Sequence, residues 1–282
     1  MPNKLFVIDA FTKNRYSGNP AAVCLLENKL LSDNEMQQVA KEMNLSETAF
    51  VKPLDHSLVN KATLFGLRWF TPTNEVPLCG HATLASSHAL FAECGNENSL
   101  IVFETMSGKL MAKKDGTSII LDFPLNKPEK IDPSLVKYIL EVIPFEVKDV
   151  LYSPTTKKLL IRILDSYKRT DLEGMANLNG DKLLQCKSEL TVKGVIVTLK
   201  GAEDFDFYSR YFAPWVGIPE DPVTGSAHTV LGPYWSEECG KTLLKARQCS
   251  PRGGELTVMV RDDGRVDLYG NAATVLRGEL EI

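Results

Sequence analysis

No stretch of the chain approaches the roughly 20 consecutive apolar residues that a membrane-spanning helix needs. The opening MPNKLFVIDAF carries one basic residue, and its apolar run meets Asp9 before it could act as the core of a secretory signal. The six cysteines, at 24, 79, 94, 186, 239 and 249, include no CxxC pair, which speaks for reduced thiols rather than a disulfide framework or a zinc site. Basic runs are missing as well, and the net charge is −4, so neither a nucleic acid nor an anionic membrane is an expected partner. Phosphate-cradling loops are absent: no GxGxxG follows a strand and no Walker-type loop occurs. The serine-hydrolase pattern GxSxG is also lacking. No cofactor is expected, and no metal either. His81 and His88 are separated by about 10 Å along a helix at about 1.5 Å per residue, too far to share one ion. Together these absences point to a cytoplasmic protein.

What the chain does contain is a duplication. Residues 68–84 read RWFTPTNEVPLCGHATL and residues 210–230 read RYFAPWVGIPEDPVTGSAHTV. Phe65, Arg68, Phe70 and Pro72 match Phe207, Arg210, Phe212 and Pro214 at one offset, and after a three-residue insertion Glu75, Pro77, Gly80 and Ala82 match Glu220, Pro222, Gly225 and Ala227. Downstream, MSGKLMA with Asp115-Gly116 resembles RGGELTV with Asp263-Gly264. Two homologous halves follow, each with a turn that opens a helix, so that the two turns could face one another across a cleft. With 282 residues, 44% apolar and 24% charged, there is material for two ordinary globular domains. The proline-bearing stretch 124–133 is the expected linker, giving domains 1–126 and 127–282, with the last strand able to pack back on the first domain.

Local patterns predict many strands and few helices. Ser32 and Glu35 have capping-box spacing, and Met36, Val39, Ala40 and Met43 then recur at helical positions. Residues 81–91, HATLASSHALF, are small or apolar around the whole circumference, as in a central buried helix. A second helix is expected near Ser226, kinked or shortened by Pro233. Strands enclosing one apolar helix, twice over, predict an α+β fold of two barrel-like domains. In the strand 45–51, alternation puts Glu47 on the face of Leu45, Ala49 and Val51, where burial would raise its pKa toward a range useful for proton transfer. The other register buries Ser46, Thr48 and Phe50 and leaves Glu47 in water.

The duplicated turns are candidate anion sites. A glycine at a helix start permits close backbone approach and exposes unpaired amides with the positive end of the dipole. Gly80 and Gly225 hold these places. The flanking side chains have diverged: Cys79 stands opposite Thr224, His81 opposite Ser226, and Asp221 opposite Val76. At a helix N-terminus His81 is expected to stay neutral and to hydrogen-bond a substrate.

DAFT and GNPAAV at 9–23, EMNLSETAFV at 42–51, RWFTP with PLCGHATLA at 68–85 and EDPVTGSAH at 220–228 resemble the phenazine biosynthesis-like (PhzF-like) family, which shares the diaminopimelate epimerase fold. The family's founding enzyme isomerises trans-2,3-dihydro-3-hydroxyanthranilate without a cofactor, moving a proton between ring carbons. The resemblance implies that Glu47 is the acid/base, that His81, Asp221 and Ser226 orient a small carboxylate substrate, and that the chain is a homodimer. Epimerases of this fold carry a cysteine in each turn, whereas here only Cys79 is present and Thr224 replaces its mate. A single-carboxylate isomerase is therefore the leading expectation. An epimerase using Cys79, or an interaction protein with an unidentified partner on an enzyme scaffold, are the alternatives.

Overall fold

Ser32 caps the first helix as its spacing predicts: its hydroxyl accepts from the Glu35 amide while Glu35 accepts from the Ser32 amide. The chain is seen in a computed structural model that describes residues 2–55, 58–175, 178 and 180–281. It divides into two compact units, Met1–Asp122 with Leu268–Ile282, and Phe123–Asp267.

The first unit runs β1 (Asn3–Ala10), β2 (Asn19–Leu25), α1 (Asp33–Met43), β3 (Glu47–Pro53), β4 (Leu64–Phe70), β5 (Glu75–Val76), α2 (Gly80–His88), β6 (Leu100–Thr105), β7 (Gly108–Asp115) and β8 (Ser118–Pro124). β2 and β3 are parallel, with α1 as their crossover, and β4 and β6 are parallel across α2. The other consecutive pairs are antiparallel. The tight turn before β2 needs Gly18, at φ +67°, because a Cβ there would lie 2.2 Å from the Ala10 carbonyl. α2 packs against β1, β2 and β3. Every residue from His81 to Ser87 is buried. Its hydroxyls do not conflict with that burial, since Thr83, Ser86 and Ser87 each donate to the carbonyl four residues back. The helix expected at 81–91 is α to His88 and then widens into a π turn at Ala89–Glu93.

The second unit comprises β9 (Glu129–Lys130), α3 (Lys137–Leu140), β10 (Val147–Ser153), β11 (Lys158–Ile163), α4 (Arg169–Glu173), α5 (Gly180–Gln185), β12 (Gly194–Lys200), β13 (Phe207–Phe212), α6 (Gly225–Cys239), β14 (Leu243–Gln248), β15 (Gly254–Val260) and the first half of β16 (Arg265–Gly270), whose residues from Leu268 belong to the first unit. The pairing sequence of the first unit recurs: β11 and β12 are parallel, β12 and β13 antiparallel, β13 and β14 parallel across α6, and β14 and β15 antiparallel. β9 falls within the expected linker and pairs with β10. Residues 176, 177 and 179 of the helix-prone stretch lie outside the described residues. The chain ends in β17 (Ala272–Leu280), antiparallel to β1.

Two sequence expectations are corrected. α6 continues through Pro233 for 15 residues. Proline leaves the carbonyl four residues back without its helical donor, and here the Asn126 amide donates to that carbonyl, Thr229 O, at 3.1 Å. The alternation in β3 also does not separate a wet face from a dry one, because Glu47 through Val51 are all buried. Phe50 packs with Met36 and Ala40 of α1. By the strand's period of two, Glu47, Ala49 and Val51 then share the opposite face, and β3 also contacts α2.

Candidate active site

In each unit the duplicated segment builds the same clamp. Arg68 on β4 grips Glu75 with two hydrogen bonds, Nε to Oε1 at 2.6 Å and Nη2 to Oε2 at 2.8 Å. Arg210 on β13 grips Glu220 through the same atoms at 2.7 Å each. Each guanidinium also lies over the phenylalanine two residues on, 5.1 Å from the Phe70 ring and 5.2 Å from the Phe212 ring. A bidentate, stacked arginine fixes both ends of a turn, and here it sets where the following helix starts. That helix start is uncapped by a side chain at both N-caps, Cys79 and Thr224. The first-turn amides, at Gly80 in one unit and Gly225 in the other, are thus left to other partners.

In the first unit the turn brings Cys79 and His81 to the first residue of β3. Glu47 and His81 are 7% and 6% exposed and their facing atoms, Oε2 and Nε2, are 3.3 Å apart. That approach lacks hydrogen-bond alignment, and Glu47 Oε2 has no hydrogen-bond partner among the described residues. Ser46 Oγ lies 3.3 Å from His81 Nε2, and Cys79 Sγ lies 3.4 Å from His81 Nδ1. Burial pushes the Glu47 carboxyl above the usual carboxylate range, while hydrogen bonds from Ser46 and Cys79 pull it back. A carboxylate so placed has an oxygen free to take a proton and neighbours that steady the charged form. Donor atoms of Glu47, Cys79 and His81 also lie within 4.8 Å of one another, a set able to hold a cation, which shares His81 with the pair weighed in the sequence but takes Glu47 and Cys79 in place of His88.

In the second unit the turn is closed by its own Thr224 and by Gln248 of β14. Thr224 Oγ donates to Asp221 Oδ2 at 2.5 Å. Gln248 accepts from the Thr224 amide at 2.9 Å and donates to the Asp221 carbonyl at 2.6 Å. Ser226 is half-buried in the first turn of α6. Nearby Lys158, 8% exposed, has its pKa lowered to about 8 by burial, against the opposing pull of Asp221.

The structure thus brings Glu47, Cys79 and His81 together, and separately Asp221, Thr224, Gly225 and Ser226. Ser46, Gln248 and Lys158 were missed. Ser46 stood in plain view beside Glu47 in SETAF, whereas nothing local in the sequence ties Gln248 to a turn 24 residues earlier.

A family model described as phenazine biosynthesis-like protein matches residues 8–278. A phenazine biosynthesis-like domain-containing protein of Bos taurus is 54% identical over 287 aligned positions, with 98% of each chain covered. An uncharacterized isomerase of Halalkalibacterium halodurans is 44% identical with 99% of each chain covered. Among solved structures, a PhzF-family phenazine biosynthesis protein from Enterococcus faecalis matches with a TM-score of 0.88 at 35% identity over the whole of both chains. A hydroxyproline epimerase from Agrobacterium vitis matches at 0.54 with 12% identity, covering 99% of this chain and 94% of its own, a likeness of fold alone. The epimerase-like α+β fold expected from the sequence is the fold found.

Proposed function

The chain belongs to the phenazine biosynthesis-like protein family, and from that premise we propose that it is a cofactor-independent isomerase that moves a proton within a small carboxylate-bearing metabolite. The observation that carries the proposal is the buried, unpartnered Oε2 of Glu47 facing His81. Glu47 is the acid/base: Oε2 takes a proton from one carbon and, as the carboxylic acid, returns it to another on the same face. Its raised pKa brings the protonated and ionised forms closer in energy, which serves a group that must act as both. Ser46 and Cys79 steady the carboxylate, and His81 offers a hydrogen bond to the substrate. Asp221 and Ser226 anchor the substrate's polar groups, and the amides at Gly80 and Gly225 bind its carboxylate. The isomerase named among the relatives is in keeping with this chemistry. The same reading makes the protein a cytoplasmic homodimer. No described helix is long and apolar enough to cross a membrane.

The test uses trans-2,3-dihydro-3-hydroxyanthranilate in D2O, followed by proton NMR. The proposal expects isomerisation by the parent chain, lost by about 10²-fold or more in Glu47→Gln with ligand binding and melting retained. Full activity in that variant would end the assignment. A second reading, an epimerase, is favoured by one contact, Cys79 Sγ at 3.4 Å from His81 Nδ1, the kind of thiol–imidazole pairing that activates a nucleophile or base. Deuterium entering a stereocentre without isomerisation, abolished by Cys79→Ala, would favour it.

A further inference from the structure

At the far end of the α2 rod, roughly 10 Å from His81 by helical rise, lies a cavity of about 520 Å³ built within the first unit. That is the size of a pocket for a small organic molecule. Lys13 and Lys114 stand on its wall, with His88 and Asn271, while Phe91 and Ile119 supply apolar surface. No Asp or Glu is among its described lining residues, in a protein whose net charge is −4.

His88 adds a directional clue. Its Nε2 lies 3.1 Å from Thr274 Oγ, and that hydroxyl donates its one proton to Glu93 at 2.6 Å. Nε2 must therefore carry a proton and donate. Burial lowers the His88 pKa, with Glu93 opposing and Arg277 assisting, so the ring is neutral and its Nδ1 is a bare acceptor. No group among the described residues bonds that nitrogen. Glu93 does not neutralise the lysines, because its carboxylate is engaged by Thr274 and by Arg277, whose Nη2 donates at 2.8 Å. The wall itself is shaped by the π turn at Ala89–Glu93, which carries Phe91 and Ala92, and such widened turns recur at functional sites. The C-terminal end of the helix opposes an anion with about half a charge, which two full lysine charges outweigh.

We propose that this cavity is a second ligand site, for a small organic anion whose carboxylate or phosphate-monoester head meets Lys13 and Lys114, whose O–H donates to His88 Nδ1, and whose ring or short chain lies on Phe91 and Ile119. The site does not depend on the role given to Glu47.

The test titrates the full-length protein with phenyl phosphate, 3-hydroxybenzoate and inorganic phosphate, using 1H–15N NMR and calorimetry. Saturable binding of either organic anion, with shifts at the Thr117, Ser118 and Ala272 amides, is expected, and the tighter of the two names the head group. Inorganic phosphate, lacking an apolar body, binds more weakly. Lys13→Met/Lys114→Met weakens binding by about tenfold or more, whereas the charge-matched pair Lys41→Met/Lys61→Met changes it by less than about twofold. No saturable binding of either organic anion, equal losses in both double variants, or shifts at these amides that follow protein concentration instead of probe would each overturn the proposal. The last of these would make the face a contact between copies of the chain.

Discussion

The two duplicated turns share a frame and differ in what the frame holds. Arg68–Glu75 and Arg210–Glu220 are the same bidentate clamp over a phenylalanine, and position by position the helix starts coincide. Even the first internal hydrogen bond is conserved in kind: Thr83 Oγ donates to the Cys79 carbonyl at 2.6 Å, and His228 Nδ1 bonds the matching Thr224 carbonyl at 2.7 Å. The contents diverge. The first turn delivers a thiol and an imidazole to a carboxylate with an unpartnered oxygen, whereas the second satisfies its carboxylate internally through Thr224 and locks the loop with Gln248. A duplicated scaffold has kept its mechanical parts and reassigned the side chains at its tips. In the first unit those tips leave a carboxylate oxygen unpartnered among the described residues, the feature on which the proposed proton transfer rests, and in the second they are tied down by hydrogen bonds.

The clamps themselves offer the sharpest way to break this comparison. Arg210 has 3% of its side chain exposed and also donates to the Leu172 and Met175 carbonyls, while Arg68 is 35% exposed and takes Asp33 as its third partner. Removing one partner of a buried pair leaves an uncompensated charge, so Arg210→Met should cost on the order of 3–5 kcal/mol of stability. Arg68→Met should cost about 1 kcal/mol or less, in a salt-dependent way. Urea titrations of both variants at two ionic strengths measure the difference. Equal losses would show that the two clamps are mechanically equivalent despite their burial.

His228 gives the next largest effect. It is 0% exposed, and burial lowers its pKa to about 4, with the hydrogen bond to the Thr224 carbonyl opposing. Since the folded value is depressed, the unfolded chain binds this proton first. Stability is therefore full above the unfolded value near 6.5 and falls as the pH drops from there toward 4. The loss is on the order of 3 kcal/mol. His228→Thr, which installs the residue found at the matching Thr83, should flatten this part of the stability–pH curve. Denaturation midpoints at pH 7, 5.5 and 4 would show whether it does.

Much of the frame was legible in the sequence because repetition exposes it. The matched arginines, glutamates and phenylalanines are the clamp, and the matched glycines mark the helix starts. Glu47 was legible for a less secure reason: alternation assigned it to an apolar face, but β3 is buried on both faces, so the pattern alone could not choose between Glu47 and Thr48. Family motifs made that choice. The passage of α6 through Pro233 was not legible, since the compensating donor is Asn126, more than 100 residues away in sequence. Gln248 was hidden for the same reason. Side chains that complete a turn from another strand leave no local periodicity to read.

Gln248 can itself be tested at about 1–3 kcal/mol. Gln248→Leu keeps the shape while leaving the Thr224 amide and the Asp221 carbonyl buried without their partners. If Asp221 anchors the substrate as proposed, melting temperature and substrate affinity fall together, because Gln248 orders the turn that carries Asp221. Unchanged affinity in the destabilised variant would separate rigidity from presentation.

The smallest effect, and the one that bears most closely on chemistry, is a gain in stability. Burial raises the Glu47 carboxyl, so the folded chain holds its proton to higher pH than the unfolded chain does. Below the unfolded value, near 4.5, both states are protonated and Glu47 costs nothing. As the pH rises past that value the unfolded state ionises first, and stability declines until the folded carboxyl ionises too. Glu47→Gln removes this cost. It should match the parent at pH 3.5 and exceed it at pH 8, by a margin smaller than the losses above, while Asp221→Asn, which weakens the Thr224 contact, should gain nothing. A residue that destabilises the fold when ionised, with a carboxylate oxygen that lacks a hydrogen-bond partner among the described residues, is what the proposed acid/base role of Glu47 requires and what a purely structural role does not. Equal parent and Glu47→Gln midpoints at both pH values would remove that distinction between the two turns.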